Sequence, residues 1–306
     1  MIPFNPEKAS FGRHETFPLR YGWLTKGFRA WRKNPDLFNK EDSTVTLGVG
    51  KNMVNAIRYW MLASRILKGK GNVLESTDLG QSILSKHGWD PFLEDETTIW
   101  LIHWLISSNP ENATTIFWFF NFFHKSEFSQ PEIFASLREF VVEHTSLKIS
   151  DATLKHDITL LLRMYESRTD SKYTPLEETL DSPLSSLGMI QKLEVENHHQ
   201  SKPENRRRLP AVIVWYAIAE LFEQTQLASL PVERLLYSDK HLAAPGSVFR
   251  LTEDGLLSKV EEIIHFHPGY YELRETAGVN QVYQIKSIMP LEILEHHYSQ
   301  FFIEKG

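Results

Sequence analysis

Lys8, Arg13, Arg20, Lys26, Arg29, Arg32 and Lys33 crowd the first tenth of the chain, and Glu15 is the one acid between them. A protein of formal net charge −6 thus carries one strongly positive segment. Positive charge gathered this way is what contact with a phosphate backbone requires. Inside it, Arg13, His14 and Glu15 are consecutive. Imidazole and carboxylate make an acid/base pair and a guanidinium neutralises phosphate charge, so these three are the candidate catalytic residues. The plainer reading is a helix start at Glu15-Thr16 beside a solvated basic face.

Other clusters offer less chemistry. Gly48-Val49-Gly50-Lys51-Asn52 has the outline of a phosphate loop but lacks its upstream glycine, and Asn52 stands where Ser or Thr is needed. It reads better as a tight turn presenting Lys51 and helix N-terminal amides to a phosphate. The carboxylates of Asp90-Pro91-Phe92-Leu93-Glu94-Asp95-Glu96 would suit a hard cation. They suit the first turn of a helix starting near Thr97 better, because acids there complement the macrodipole. His265-Phe266-His267, if extended, would offer two imidazoles to a metal but no third ligand. His198-His199 and His296-His297 read as surface residues, and there is no firm metal site.

The elements that would position these residues follow from periodicity. A helix is expected over Leu19–Trp31, then a glycine turn, then a helix over Lys51–Ala63 with Val54, Ile57 and Met61 facing inward. Lys51, Asn52, Asn55, Arg58 and Tyr59 then lie on or near its outer side. A short hairpin near residues 66–74 carries Lys68 and Lys70, and Thr77 caps a helix running to Leu84. Helix, turn, helix, ribbon, helix is the order of a winged helix-turn-helix, with 51–63 as recognition helix.

A second such unit is expected over 127–193. Gln130–His144 is amphipathic, and Ser150 caps a helix over Asp151–Glu166 with a core stripe of Leu154, Ile158, Leu161, Leu162 and Tyr165. Lys155, His156, Thr159 and Arg163 share the opposite side. The polar stretch Glu194–Arg208, ending in Arg206-Arg207-Arg208, reads as a loop and domain boundary. Beyond it come an apolar helix over Ala211–Phe222, a strand at Val248-Phe249-Arg250-Leu251, a helix from Thr252 to Ile264, a hairpin of Tyr270–Leu273 with Gln281–Ile285, and a closing helix from Pro290 to about Phe302. The expected fold class is mainly α with small β-wings: tandem winged helix-turn-helix units plus a C-terminal helix-rich α+β unit. The expected domains are 1–126, 127–193 and 194–306.

Composition narrows the function by exclusion. The chain has no cysteine, so disulfides, thiolate zinc sites, iron–sulfur ligation and thiol nucleophiles are ruled out. Met1–Glu7 has no basic region leading into an apolar stretch, so no signal peptide is expected. The apolar runs 99–106 and 116–123 are separated by turn chemistry at Ser107–Asn112, and each falls short of the roughly 20 residues that span a bilayer. Two buried helices, no membrane role and a cytoplasmic location are expected.

Several segments carry a resemblance: Arg13-His14-Glu15-Thr16-Phe17 with Trp23–Gly27, Leu47–Val54 with Ile57-Arg58-Tyr59-Trp60, Asp90–Asp95 with Trp100-Leu101-Ile102-His103, Phe249-Arg250-Leu251, and Glu275-Thr276-Ala277-Gly278. In these, over about residues 11–300, the chain resembles the prokaryotic domain-of-unknown-function family encoded beside DNA phosphorothioation genes, which includes the SspB-like proteins of single-stranded phosphorothioation systems. The resemblance implies DNA as ligand and, as partners, a cysteine desulfurase, a phosphoadenosine-phosphosulfate-reductase-like enzyme and a P-loop ATPase. It also implies DNA nicking, with Mg2+ entering as cofactor only in that case. Absence of cysteine agrees with sulfur travelling on the partners.

The expected function is therefore a DNA-binding subunit that recognises target DNA and nicks one strand for sulfur insertion. The alternatives are a winged-helix transcriptional regulator and a non-catalytic scaffold for the sulfur-transfer enzymes. The expected DNA contacts are Arg20, Lys26, Lys51, Asn52, Asn55, Arg58, Tyr59, Lys68, Lys70, Lys155, Arg163, Arg206, Arg207 and Arg208. The oligomeric state stays open, a homo-oligomer included.

Overall fold

A computed structural model describes residues 1–70, 73–167, 182–195, 197–239, 241–276 and 278–304. Ala277 of the last motif above lies outside the described residues. The N-terminal third contains α1 (Trp23–Lys33), α2 (Ser43–Leu47), α3 (Lys51–Ala63), the antiparallel ribbon β1 (Leu67–Lys70) with β2 (Val73–Ser76), and α4 (Asp78–Leu84). The middle holds α5 (Glu96–Ser107), α6 (Thr114–Asn121), β3 (Glu127–Ser129), α7 (Gln130–His144), α8 (Asp151–Tyr165), β4 (Glu166–Ser167) and β5 (Ile190–Lys192). The remainder holds β6 (His198–Gln200), α9 (Ala211–Thr225), β7 (Ser229–Pro231), α10 (Val232–Leu236), α11 (Pro245–Val248), α12 (Glu253–Phe266), β8 (Tyr271–Thr276), β9 (Val279–Gln284) and α13 (Pro290–Glu304). The result is a helix-rich α+β fold with, among the described residues, three small sheets.

The apolar runs become the centre of the molecule. Every residue from Thr97 to Ser107 and from Thr114 to Asn121 is buried. Among the described residues, no helix is long and apolar enough to cross a membrane. Trp100 meets Phe249 edge-to-face, Trp104 stacks on the same ring, and Phe119 meets Phe120 edge-to-face, the geometries that aromatic quadrupoles favour. The acidic turn before α5 caps it: the Asp95 carboxylate accepts the Thr97 amide, and Asp90 accepts those of Glu94 and Asp95.

Several expectations need correction. The first helix starts at Trp23 rather than Leu19, because Gly22 enters it at φ +76°, a left-handed conformation that opens a turn. Val248–Leu251 is not a strand. α11 ends there, and Arg250 sits at φ +49° with only Leu251 making an isolated parallel bridge, to Glu204. The stretch 194–208 is no plain loop: β6 pairs with β3 and β5, so the four-stranded sheet, in order β3-β6-β5-β4, runs across position 194. His199 is consequently buried and stacks on Phe128 rather than lying on the surface. His265 is within the last turn of α12 and His267 caps it, so the two imidazoles do not share an extended face. Among the described residues no three His, Asp or Glu side chains gather as a metal site.

Candidate nucleic-acid interface

α3 carries the outward residues at the spacing a helix face demands. Lys51, Asn52, Asn55 and Arg58 are exposed and Tyr59 is half-buried, while Val54, Ile57 and Met61 pack inward. Neither α1 nor α3 contains an acidic residue, and α3 begins at Gly50 without a side-chain cap. Its first amides and the Lys51 ammonium therefore add to one positive end.

The loop of residues 10–17 approaches this helix and is held in an unusual shape. Gly12, Glu15 and Thr16 have φ of +69°, +51° and +64°. For the last two, side chains that disfavour this region, the conformation costs free energy and persists only where other contacts enforce it. Those contacts centre on Asp157 of α8, which is buried. One carboxylate oxygen lies 2.8 Å from His14 Nε2 and accepts the Gly12 amide at 3.0 Å, and the other accepts the Thr115 hydroxyl at 2.8 Å. The Thr16 amide donates to His14 Nδ1 at 3.1 Å. With Nδ1 accepting from Thr16, Nε2–H is the donor to Asp157. Both nitrogens of His14 are thus engaged inside the protein. His14 positions the loop, while its neighbours Arg13 and Glu15 reach solvent.

The outcome is an open cleft of about 370 Å³ lined by Arg13, Glu15, Asn55, Arg58, Tyr59 and Asn112, with Ser10 and Leu62. Asn55 Nδ2 donates to the Glu15 carboxylate at 3.3 Å. Tyr59 meets the His14 ring edge-on at 5.9 Å. Burial, followed by the nearby Asp157 carboxylate, raises its phenol pKa, so Tyr59 remains a hydroxyl donor at neutral pH. Five residues singled out from sequence thereby share one cleft, with Glu15 its one carboxylate. Arg13, Lys26, Arg29, Arg32, Lys33, Lys51 and Arg58 form no ion pair among the described residues. Arg20 lies 5.4 Å from the Trp23 ring, also without an acid.

The other expected contacts lie apart from this cleft or face inward. Lys68 and Lys70 are exposed on β1, but Glu75 opposes Lys68 in register and pairs with Lys70 at 3.0 Å. Lys155 and Arg163 are exposed on α8, with the Lys155 ammonium 5.0 Å from the Phe134 ring. Arg206 is a different case: its side chain is 8% exposed, pairs with Glu204 and donates to the Gly188 carbonyl. Arg207 is exposed, and Arg208 pairs with Glu96 at 2.9 Å. Asp157 escapes the sequence reading, although a carboxylate three residues after Leu154 on an inward stripe is a signal in itself, since a buried charge needs partners.

A lone carboxylate in the cleft, and a second acidic cluster whose Asp90 and Asp95 oxygens are occupied by backbone amides, do not fit a protein-held magnesium site of several oxygen ligands.

A family profile described as "Protein of unknown function (DUF4007)" matches residues 11–298. No curated protein matches the chain. Among solved structures, it is similar to a magnesium ion-bound SspB crystal structure, with 26% identity and a TM-score of 0.85, covering 95% of this chain and 88% of that one. A second SspB crystal structure matches with 26% identity, a TM-score of 0.84 and the same coverage.

Proposed function

The chain belongs to the DUF4007 family, and from that premise we propose that it is the DNA-engaging subunit of a phosphorothioate modification system. The observation that carries this reading is the convergence of Arg13, Asn55, Arg58 and Tyr59 on one cleft, beside cations that have no acidic partner among the described residues. Cations kept exposed and unneutralised serve phosphates better than they serve the fold, because surface ion pairs contribute little stability in any case. Likeness to SspB supports the same assignment. On this reading α3 works as the recognition helix of a winged helix-turn-helix unit, with β1 and β2 as its ribbon.

The cleft also supports strand nicking, because it sets one carboxylate beside two guanidinium groups. Glu15 would take a proton from water, whose oxygen attacks phosphorus. The P–O ester bond breaks, its oxygen takes a proton from solvent, and Arg13 with Arg58 offsets the charge that accumulates. His14 and Asp157 act by fixing the loop, not by transferring protons.

A supercoiled-plasmid assay tests both parts, run with and without magnesium beside Glu15→Gln. The expected result is conversion to open circle by the wild type and, for the variant, binding without conversion. Binding without any nicking by the wild type would remove the catalytic part and leave recognition. Site-specific binding upstream of its own operon would favour a transcription regulator instead. Capture of sulfur-transfer enzymes with no DNA shift at low salt would favour a scaffold.

A further inference from the structure

The basic side of α1 forms a second groove, separate from the cleft. Gly22, Thr25, Lys26, Arg29 and Lys33 follow one another at helical spacing along one wall, and Thr46 and Phe92 make the other, enclosing about 450 Å³. Phe92 is the unusual member. Its neighbour Leu93 is buried at φ +58°, and Asp90 grips the amides of Glu94 and Asp95. The Thr25 hydroxyl donates to the Pro91 carbonyl at 2.9 Å, fastening this turn to α1. A strained turn, held at three points, thus fixes a phenyl ring that stays 57% exposed. Burial gains nothing from such an arrangement. The Arg29 guanidinium lies 4.5 Å from the ring centroid, while Lys26 and Lys33 stand a turn away on either side.

We propose that this groove binds single-stranded DNA, with a base stacking on Phe92 and its flanking phosphates held by Lys26, Arg29 and Lys33. A fixed aromatic face beside a row of cations is the combination that strand-binding surfaces use, because every base has a π-face and every linkage a charge. Duplex DNA keeps its bases stacked on each other and has nothing to offer the ring. The groove therefore recognises a strand that has been parted from its complement. This rests on the DNA-engaging reading above and adds the form of DNA that this surface takes.

The experiment compares anisotropy titrations of a labelled oligothymidylate and of an intact duplex, using the full chain, Phe92→Ala and Phe92→Trp. Loss of one stacked base predicts a single-strand affinity about 5- to 150-fold weaker for Phe92→Ala. Duplex affinity should be unchanged, and Phe92→Trp should restore the single-strand value. Phe92 lies outside the packed core, so folding of the variants is confirmed by their unchanged duplex binding. Single-strand affinity unaffected by Phe92→Ala would overturn the inference and leave duplex engagement standing, as would a wild type that binds duplex alone. A wild type that binds neither form would overturn both.

Discussion

Arginines on the exposed α1–α3 side and arginines turned toward the interior are put to opposite uses. Arg13, Arg29 and Arg58 reach solvent with no carboxylate paired to them. Arg65, two residues beyond α3, instead makes a two-point pair with Glu220 of α9, at 2.8 and 3.1 Å. The same carboxylate accepts the Trp104 indole N–H at 2.7 Å and pairs with the Met1 amine. Arg250 has no acidic partner among the described residues. It is buried, and its guanidinium donates to the carbonyls of Phe119 and Phe123 at 2.9 Å, satisfying the orphan acceptors at the C-terminal end of α6. What separates the two groups is what waits around each side chain. In the interior it is a carboxylate or a helix end, and on the α1–α3 side it is water.

The interior also explains why the motif residues Phe249-Arg250-Leu251 and Trp100–His103 stand out without being reactive. His103 Nε2 donates to the Val248 carbonyl at 2.9 Å, and its Nδ1 lies 2.9 Å from the Tyr165 hydroxyl. Burial, against the help of the Val248 carbonyl and with Arg206 and Arg250 adding to it, pulls its pKa down to about 3. This yields the largest expected effect. An unfolded histidine titrates near 6.5, so between that pH and about 3 the unfolded chain holds the extra proton. Stability should therefore decline as pH falls through this window, by on the order of 5 kcal/mol at its acid end. In urea melts, His103→Gln should be less stable than wild type at pH 7.5 but lose less on acidification to pH 4.5. An equal slope in both proteins would show that His103 does not titrate with folding.

Next in size is the pair that defines the interior group. Burial would raise the Glu220 pKa, but Arg65 and the Met1 amine override it and hold the carboxyl well below the usual range. Glu220→Gln leaves a buried guanidinium without its counter-charge and should cost about 3–5 kcal/mol in denaturant melts. A loss below about 1 kcal/mol would place this pair with ordinary surface ion pairs and blur the division.

Much of the fold was legible because local signals agreed with packing. Lys51–Ala63, the Thr77 and Ser150 caps and the helix at 130–144 are present, as are the ribbon read over 66–74, whose second strand runs on to Ser76, and the helix read over 211–222, which runs on to Thr225, since apolar spacing and capping residues mark them directly. Val248–Leu251 misled because its β-like composition is overruled by Arg250, whose contacts lie in segments 49 to 131 residues away. The cleft was half legible. Charge and helical spacing put Arg13, Glu15, Asn55 and Arg58 forward, but not that His14 would turn inward, because its partner lies 143 residues along the chain. Phe92 gave no signal, as its meaning depends on where the turn at 90–95 is fastened.

The smallest effect in energy bears on the central claim most directly: the dependence of duplex binding on salt. Removing one cation from a phosphate should reduce the slope of log affinity against log salt by about 0.9. The account predicts that Arg13→Gln with Arg58→Gln lowers the slope by close to twice that amount. Arg274→Gln, which removes an exposed cation already paired with Glu272, should leave it unchanged. An unaltered slope in the double variant, or an equal drop for Arg274→Gln, would contradict the assignment of DNA contact to the α1–α3 side.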